Sequence, residues 1–92
     1  MFTVIAFDIV EDRTRYRVVQ FLREYAVRVQ KSVFEAPALP PNHFHRLRDD
    51  LEGLIDHRVD KIRYYFLCAA CVNRIELSGI GAVTPNEEYK VL

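Results

Sequence analysis

The chain has 92 residues, half of them hydrophobic, and its 13 basic and 13 acidic side chains give a formal net charge of zero. That length makes one small domain of marginal stability. Zero net charge excludes a molecule that attracts nucleic acid as a whole, so any basic patch must be local. No apolar run is long enough to span a bilayer, and the first residues lack the basic lead and apolar core of a signal peptide. A cytoplasmic location is therefore expected, with Cys68 and Cys71 as reduced thiols. So much apolar surface on so small a domain predicts a second interface, most simply a homodimer.

Phe2 to Val10 is the first predicted strand. Its apolar run Val4-Ile5-Ala6-Phe7 is dense enough for a strand buried on both faces, and it ends on Asp8. A buried strand has no use for a carboxylate, so Asp8 should sit where the strand leaves the core. Two readings of Asp8 stand. It is a hard oxygen ligand for a divalent cation, or it caps the following helix and satisfies nearby backbone N–H groups.

Glu11 and Asp12 open a helix with Asp12 as N-cap, and Val18, Phe21, Leu22 and Tyr25 form its apolar stripe. Arg13 and Arg17 share another face, with Arg15 near the helix start. From Arg13 to Lys31 six basic residues face one acid, Glu24, which is either a local phosphate-binding patch or an ordinary solvated face. Val27 to Ala36 is the second β region, with Val27, Val29 and Val33 on one side and Arg28, Gln30, Ser32 and Phe34 on the other. A bend or bulge at Lys31 and Ser32 leaves it as one long strand or two short ones. Pro37, Pro40 and Pro41 end it. Asn42 then caps a second helix reaching about His57, its buried stripe supplied by Phe44, Leu47, Leu51, Leu54 and Ile55. Ile62 to Cys68 reads as a third strand and Val72 to Leu77 as a fourth. Gly79 and Gly81 turn the chain, and Tyr89 to Leu92 is a short apolar tail able to pair at a sheet edge. Strands alternating with two amphipathic helices make a two-layer α+β sandwich. The helices cover one sheet face, so the other should meet a second subunit.

Several chemistries are excluded. Gly53, Gly79 and Gly81 are the only glycines, so there is no phosphate-cradling loop. Cys68 and Cys71 are half a tetrahedral zinc site that His43, His45 and His57 do not complete, and packing at the end of the third strand is their expected role. Ser32 and Ser78 have no visible triad. What remains is one carboxylate, a group of arginines and a demand for dimerisation. In a two-fold dimer two Asp8 carboxylates face each other and repel, and a Mg²⁺ ion relieves that repulsion while binding a phosphate oxygen. Flanking arginines then grip the phosphodiester backbone without reading bases.

Phe7-Asp8-Ile9, Asp12-Arg13 and the run Arg28-Val29-Gln30-Lys31-Ser32-Val33-Phe34-Glu35 together resemble the small CRISPR-associated endonuclease family, the smaller of the two proteins universal to CRISPR spacer acquisition. The similarity extends to about Gly79 and includes Asp60-Lys61-Ile62-Arg63 and Ile75-Glu76. It implies a ferredoxin-like core over residues 1–79, an antiparallel sheet with two helices on one face. Residues 80–92 become a C-terminal tail carrying an edge strand exchanged onto the partner of a homodimer. It also implies Mg²⁺-dependent endonuclease activity on RNA or duplex DNA, with one Mg²⁺ per dimer. Asp8 takes the catalytic, metal-binding position, Arg15, Arg17 and Arg28 the nucleic-acid-binding positions, and Phe34 the aromatic one. Phe7 stands where the family usually has Tyr, which implies a hydroxyl missing beside the metal. The family's role leaves a second expectation from a different class, a non-catalytic dimeric scaffold that holds duplex DNA between two copies of the larger CRISPR integrase.

Overall fold

A computed structural model describes residues 1–85. Its elements are β1 (Phe2–Asp8), α1 (Asp12–Leu22), β2 (Val27–Gln30), β3 (Val33–Ala36), α2 (Pro41–Leu54), β4 (Lys61–Leu67) and α3 (Ala69–Val72). The sheet order is β2-β3-β1-β4, and every neighbouring pair is antiparallel. This βαββαβ arrangement is the expected ferredoxin-like sandwich. The central strand is β1, as its apolar density requires.

The alternation of β1 assigns its faces. Ile5, Phe7 and Ile9 join Val18 and Leu22 of α1 and Leu47 and Leu51 of α2 in one buried cluster, so the odd residues face the helices. The even residues Val4, Ala6 and Asp8 therefore face away. Register carries this across the sheet: Tyr65, Arg63 and Lys61 of β4 lie opposite Val4, Ala6 and Asp8, on the helix-free face. Glu35 and Val33 of β3 occupy the same face opposite Val4 and Ala6.

The second β region resolves into two strands. Lys31 and Ser32 form the turn, and a register shift between Arg28 and Gln30 makes Val29 an extra residue. Gln30 consequently pairs with Val33, against the simple alternation expected from the sequence.

Other boundaries also move. The N-cap of α1 is Glu11 rather than Asp12, and Asp12 instead pairs with Arg15. The N-cap of α2 is Pro40 rather than Asn42, because Pro41, with its fixed φ and no N–H to satisfy, fits the first helical position. Its last residue is Leu54 rather than His57. Val72–Leu77 is not a strand. Ala69 and Ala70 favour a helix, and Asn73 N–H donates to the Ala69 carbonyl at 3.1 Å. Ile75 N–H then donates to Val72 at 3.2 Å, so Val72 and Ile75, spaced by three, turn inward together while their neighbours are exposed. Cys68 and Cys71 are exposed free thiols at this junction, not packing residues. The expected tail strand at Tyr89–Leu92 lies outside the described residues.

Tyr64 gives a first test of the packing between α2 and β4. Its ring meets Phe44 edge-on, with centroids 5.2 Å apart, and its hydroxyl is buried with no hydrogen-bond partner among the described residues. Burial pushes its ionisation up to about 12. Tyr64→Phe removes the unsatisfied hydroxyl, so it is expected to stabilise the fold by about 1 kcal/mol, read as a higher urea midpoint at unchanged slope. The sign at high pH follows from the raised value. Tyr64 holds its proton more tightly folded than unfolded, so the wild type loses stability as pH rises from about 10 to 12, and that component disappears in the variant.

Candidate metal and phosphate site

Asp8 is the last residue of β1 and is exposed. Three segments converge on its end of the sheet. On one side is the β2–β3 turn, where the Ser32 carbonyl accepts the Phe7 N–H at 3.0 Å. On the other is the start of β4, where Lys61 lies directly opposite Asp8. The third is the start of α1, four residues further along the chain. Among the described residues the Asp8 carboxylate makes no hydrogen bond and no ion pair, and Glu11, not Asp8, holds the N-cap position of the following helix, without a side-chain capping bond. The capping role is therefore not used, and the carboxylate is left free for a ligand.

Among the described residues no three His, Cys, Asp or Glu side chains gather closely enough to hold an ion. The donor type nevertheless fits Mg²⁺, which takes hard oxygens and is held by one or two carboxylates with several of its waters retained. Asp8 lies on the helix-free face, the face expected to meet a second copy, so a two-fold pairing there could supply a second carboxylate.

Asp60, which sequence patterning alone does not single out, supports this end of the sheet. It is 9% exposed, and both of its oxygens are occupied. One accepts the Val10 N–H at 3.0 Å and the other the Asp56 N–H at 2.8 Å. This staple ties the chain just beyond Asp8 to the loop entering β4. Asp60→Ala strands two part-buried N–H groups and is expected to cost roughly 2–4 kcal/mol, with Asp60→Asn, which keeps one acceptor, losing less. Denaturant melts of the two variants measure both values. The sequence signal is weak because the partner of Asp60 at Val10 lies 50 residues away.

The three expected phosphate-binding arginines sit differently. Arg28, on the edge strand β2, donates to the Lys31 carbonyl through Nε at 3.1 Å and Nη2 at 2.7 Å. Those bonds draw the guanidinium toward the Asp8 end and, among the described residues, leave Nη1 without a partner. Arg15 is held by Asp12 at 2.8 Å through Nη1. Arg17 is exposed and, among the described residues, has no hydrogen bond or ion pair. No contact joins the three directly.

Phe7 and Phe34 are core residues, with ring centroids 6.2 Å apart. Phe7 is 7% exposed and faces the helices, whereas Asp8 faces away from them. A hydroxyl at position 7 would thus point from the face opposite the carboxylate. Against the expectation of a hydroxyl beside Asp8, this alternation puts position 7 on the other face of the sheet.

The family model for CRISPR associated protein Cas2 matches residues 1–75. A relative from Chloroflexus aurantiacus, CRISPR-associated endoribonuclease Cas2 3, is 46% identical over 89 residues, covering 97% of this chain and 95% of that protein. The crystal structure of Streptococcus pyogenes Cas2 superposes with a TM-score of 0.76 at 28% identity, over 86% of this chain and 100% of that one. A chain of a partial Cas6-RT-Cas1–Cas2 complex superposes with a TM-score of 0.72 at 27% identity, over 82% of this chain and 87% of that one. The chain belongs to the CRISPR associated protein Cas2 family.

Proposed function

We propose that this chain is a Mg²⁺-dependent endonuclease of CRISPR spacer acquisition, acting as a homodimer with Asp8 of both chains at one site. The observation that carries the reading is the free, exposed carboxylate of Asp8 at the end of the central strand, on the face left bare by the helices. The relatives' designation as endoribonucleases supports phosphodiester hydrolysis and favours RNA, with duplex DNA as the second substrate.

In this reading two Asp8 carboxylates hold the cation. An ion held there would supply an activated water and charge stabilisation of the leaving oxygen. The protein's own residues supply the rest. Arg17, the spare donor of Arg28, and Arg15 after exchanging Asp12 for phosphate would hold the backbone on either side. The Asp60 staple fixes the chain around Asp8. A cytoplasmic location is part of this reading, and among the described residues no helix is long and apolar enough to cross a membrane.

The dimer reading rests on the helix-free face, where Val27 is 50% and Tyr65 45% exposed. Part of that face is covered by the chain itself, because Thr84 donates to Glu35 through its N–H at 3.1 Å and its hydroxyl at 2.6 Å. Sedimentation is expected to show a dimer at micromolar concentration, and a stable monomer there contradicts the two-carboxylate site.

A second reading is a non-catalytic scaffold between two copies of the larger integrase. It is favoured by the structural neighbour solved within a Cas1–Cas2 assembly. Cleavage assays on RNA and duplex DNA, with Mg²⁺ and with chelator, separate the two. The endonuclease reading expects Mg²⁺-dependent products from at least one substrate, and the scaffold reading expects none from either.

A further inference from the structure

We infer that Lys61 is the built-in counter-ion of Asp8, weakening divalent-cation binding until a phosphodiester draws its ammonium group away. The inference rests on the proposed role of Asp8 as metal ligand and adds a residue that controls it.

The pairing follows from the sheet. Asp8 and Lys61 are the last matched residues of the β1–β4 ladder and stand directly opposite each other. In an antiparallel pair such residues share a face, with Cβ atoms about 4.5–5.5 Å apart. Both side chains are exposed at the open end of the sheet. Among the described residues they are not in an ion pair with each other, and neither has another partner. The lysine is thus close enough to screen the carboxylate and unbound enough to leave it. Four flexible carbons let its ammonium move between Asp8 and a ligand beyond, which a guanidinium fixed by a fork of hydrogen bonds does less readily.

The next cation on this face behaves differently. Arg63 lies opposite Ala6, two residues from Lys61, and donates to the Tyr65 hydroxyl at 3.4 Å. That bond points it along β4, away from Asp8, and raises the affinity of Arg63 for its own proton. Arg63 therefore adds positive potential without occupying the carboxylate. On the helix-free face each chain then presents Asp8 beside Lys61 and Arg63, the nearby Asp60 being taken up by backbone N–H groups, and a two-fold pair of chains doubles the set. A bare divalent cation meets a face whose carboxylate is already outweighed by positive charge. A phosphodiester changes the balance, because it supplies a new anion for Lys61 and so lessens the screening of Asp8. Metal and nucleic acid should accordingly bind with positive coupling, each raising the affinity for the other by the same factor.

The test is Mn²⁺ binding followed by electron paramagnetic resonance on wild type, Lys61→Gln, Lys61→Arg and Asp8→Asn, with metal alone and then with a saturating short DNA duplex. Removing one unit charge beside the carboxylate in a solvent-exposed setting should tighten metal-only binding about fivefold in Lys61→Gln. Lys61→Arg should match wild type. The duplex should tighten Mn²⁺ binding to wild type, relative to the Asp8→Asn baseline, and do so less in Lys61→Gln. An Asp8→Asn protein that binds Mn²⁺ as wild type does overturns the metal-ligand reading itself. An Asp8→Asn protein that loses the ion, beside a Lys61→Gln protein with unchanged affinity, leaves that reading intact and overturns the counter-ion. Equal tightening in Lys61→Gln and Lys61→Arg also overturns it, because charge would not be the cause.

Discussion

Asp8→Asn is expected to abolish Mg²⁺-dependent cleavage, a loss of at least roughly a hundredfold in kcat, the scale seen when one preorganised electrostatic element is removed. Asn is nearly isosteric but carries no charge to draw Mg²⁺ from its tightly held waters. In a two-fold site each substitution counts twice, so both carboxylates vanish together. The structure sharpens the control. Asp8 caps no helix and accepts no hydrogen bond among the described residues, so its replacement should change stability by no more than about 0.5 kcal/mol. Dimerisation should persist, and so should nucleic-acid affinity measured without divalent metal, because neither rests on this carboxylate; that metal-free affinity should rise slightly as two negative charges leave the phosphate path. Cleavage by wild type that survives Asp8→Asn at full rate would defeat the assignment and point to another site.

Replacing Arg15, Arg17 and Arg28 together by alanine is expected to weaken nucleic-acid binding strongly. Each arginine that neutralises a phosphate releases condensed counterions, so removing one should flatten the salt dependence of duplex binding by about one unit of slope. At low salt each should cost roughly tenfold in affinity, from about 1.5 kcal/mol for a charge-assisted hydrogen bond at an exposed site. The three should not contribute equally. Arg17 is free among the described residues and Arg28 keeps one spare nitrogen, whereas Arg15 must first give up Asp12. Exchange of one anionic partner for another yields less than a newly made bond, so Arg15→Ala alone should be the mildest of the single variants. The weakening should be uniform across sequences, because phosphate contacts carry no base information. A triple variant that binds as tightly, with an unchanged slope across the salt titration, removes these residues from the interface.

The architecture was largely legible because the elements that define it have strong local patterns. The apolar density of Val4–Phe7 made β1 central, and the helical spacing of Leu47 and Leu51 placed α2 on the core. Errors arose where local signals competed. Val72–Leu77 alternates well enough to imitate a strand, but β4 is an edge, and the alanines before Val72 carry the chain into a short helix instead. The bulge at Val29 changes which face Gln30 occupies, and no side chain there announces it.

The site was legible only in part, for a related reason. Asp8 stood out because a carboxylate interrupts an apolar strand. Asp60 and Lys61 did not, because their importance comes from pairing across the sheet: Asp60 with Val10, Lys61 with Asp8. Such partners are fixed by register, and register emerges only when strands meet. The alternation of β1 likewise puts Phe7 in the core, on the face opposite Asp8.

Whether two chains present one shared cation site at Asp8 is decided most directly by anomalous diffraction from crystals of the intact protein grown with Mn²⁺. The expected result is a dimer joined through the helix-free face, with one manganese peak between the two Asp8 carboxylates. A dimer joined through its helices, or manganese bound in each chain away from Asp8, would contradict the shared site.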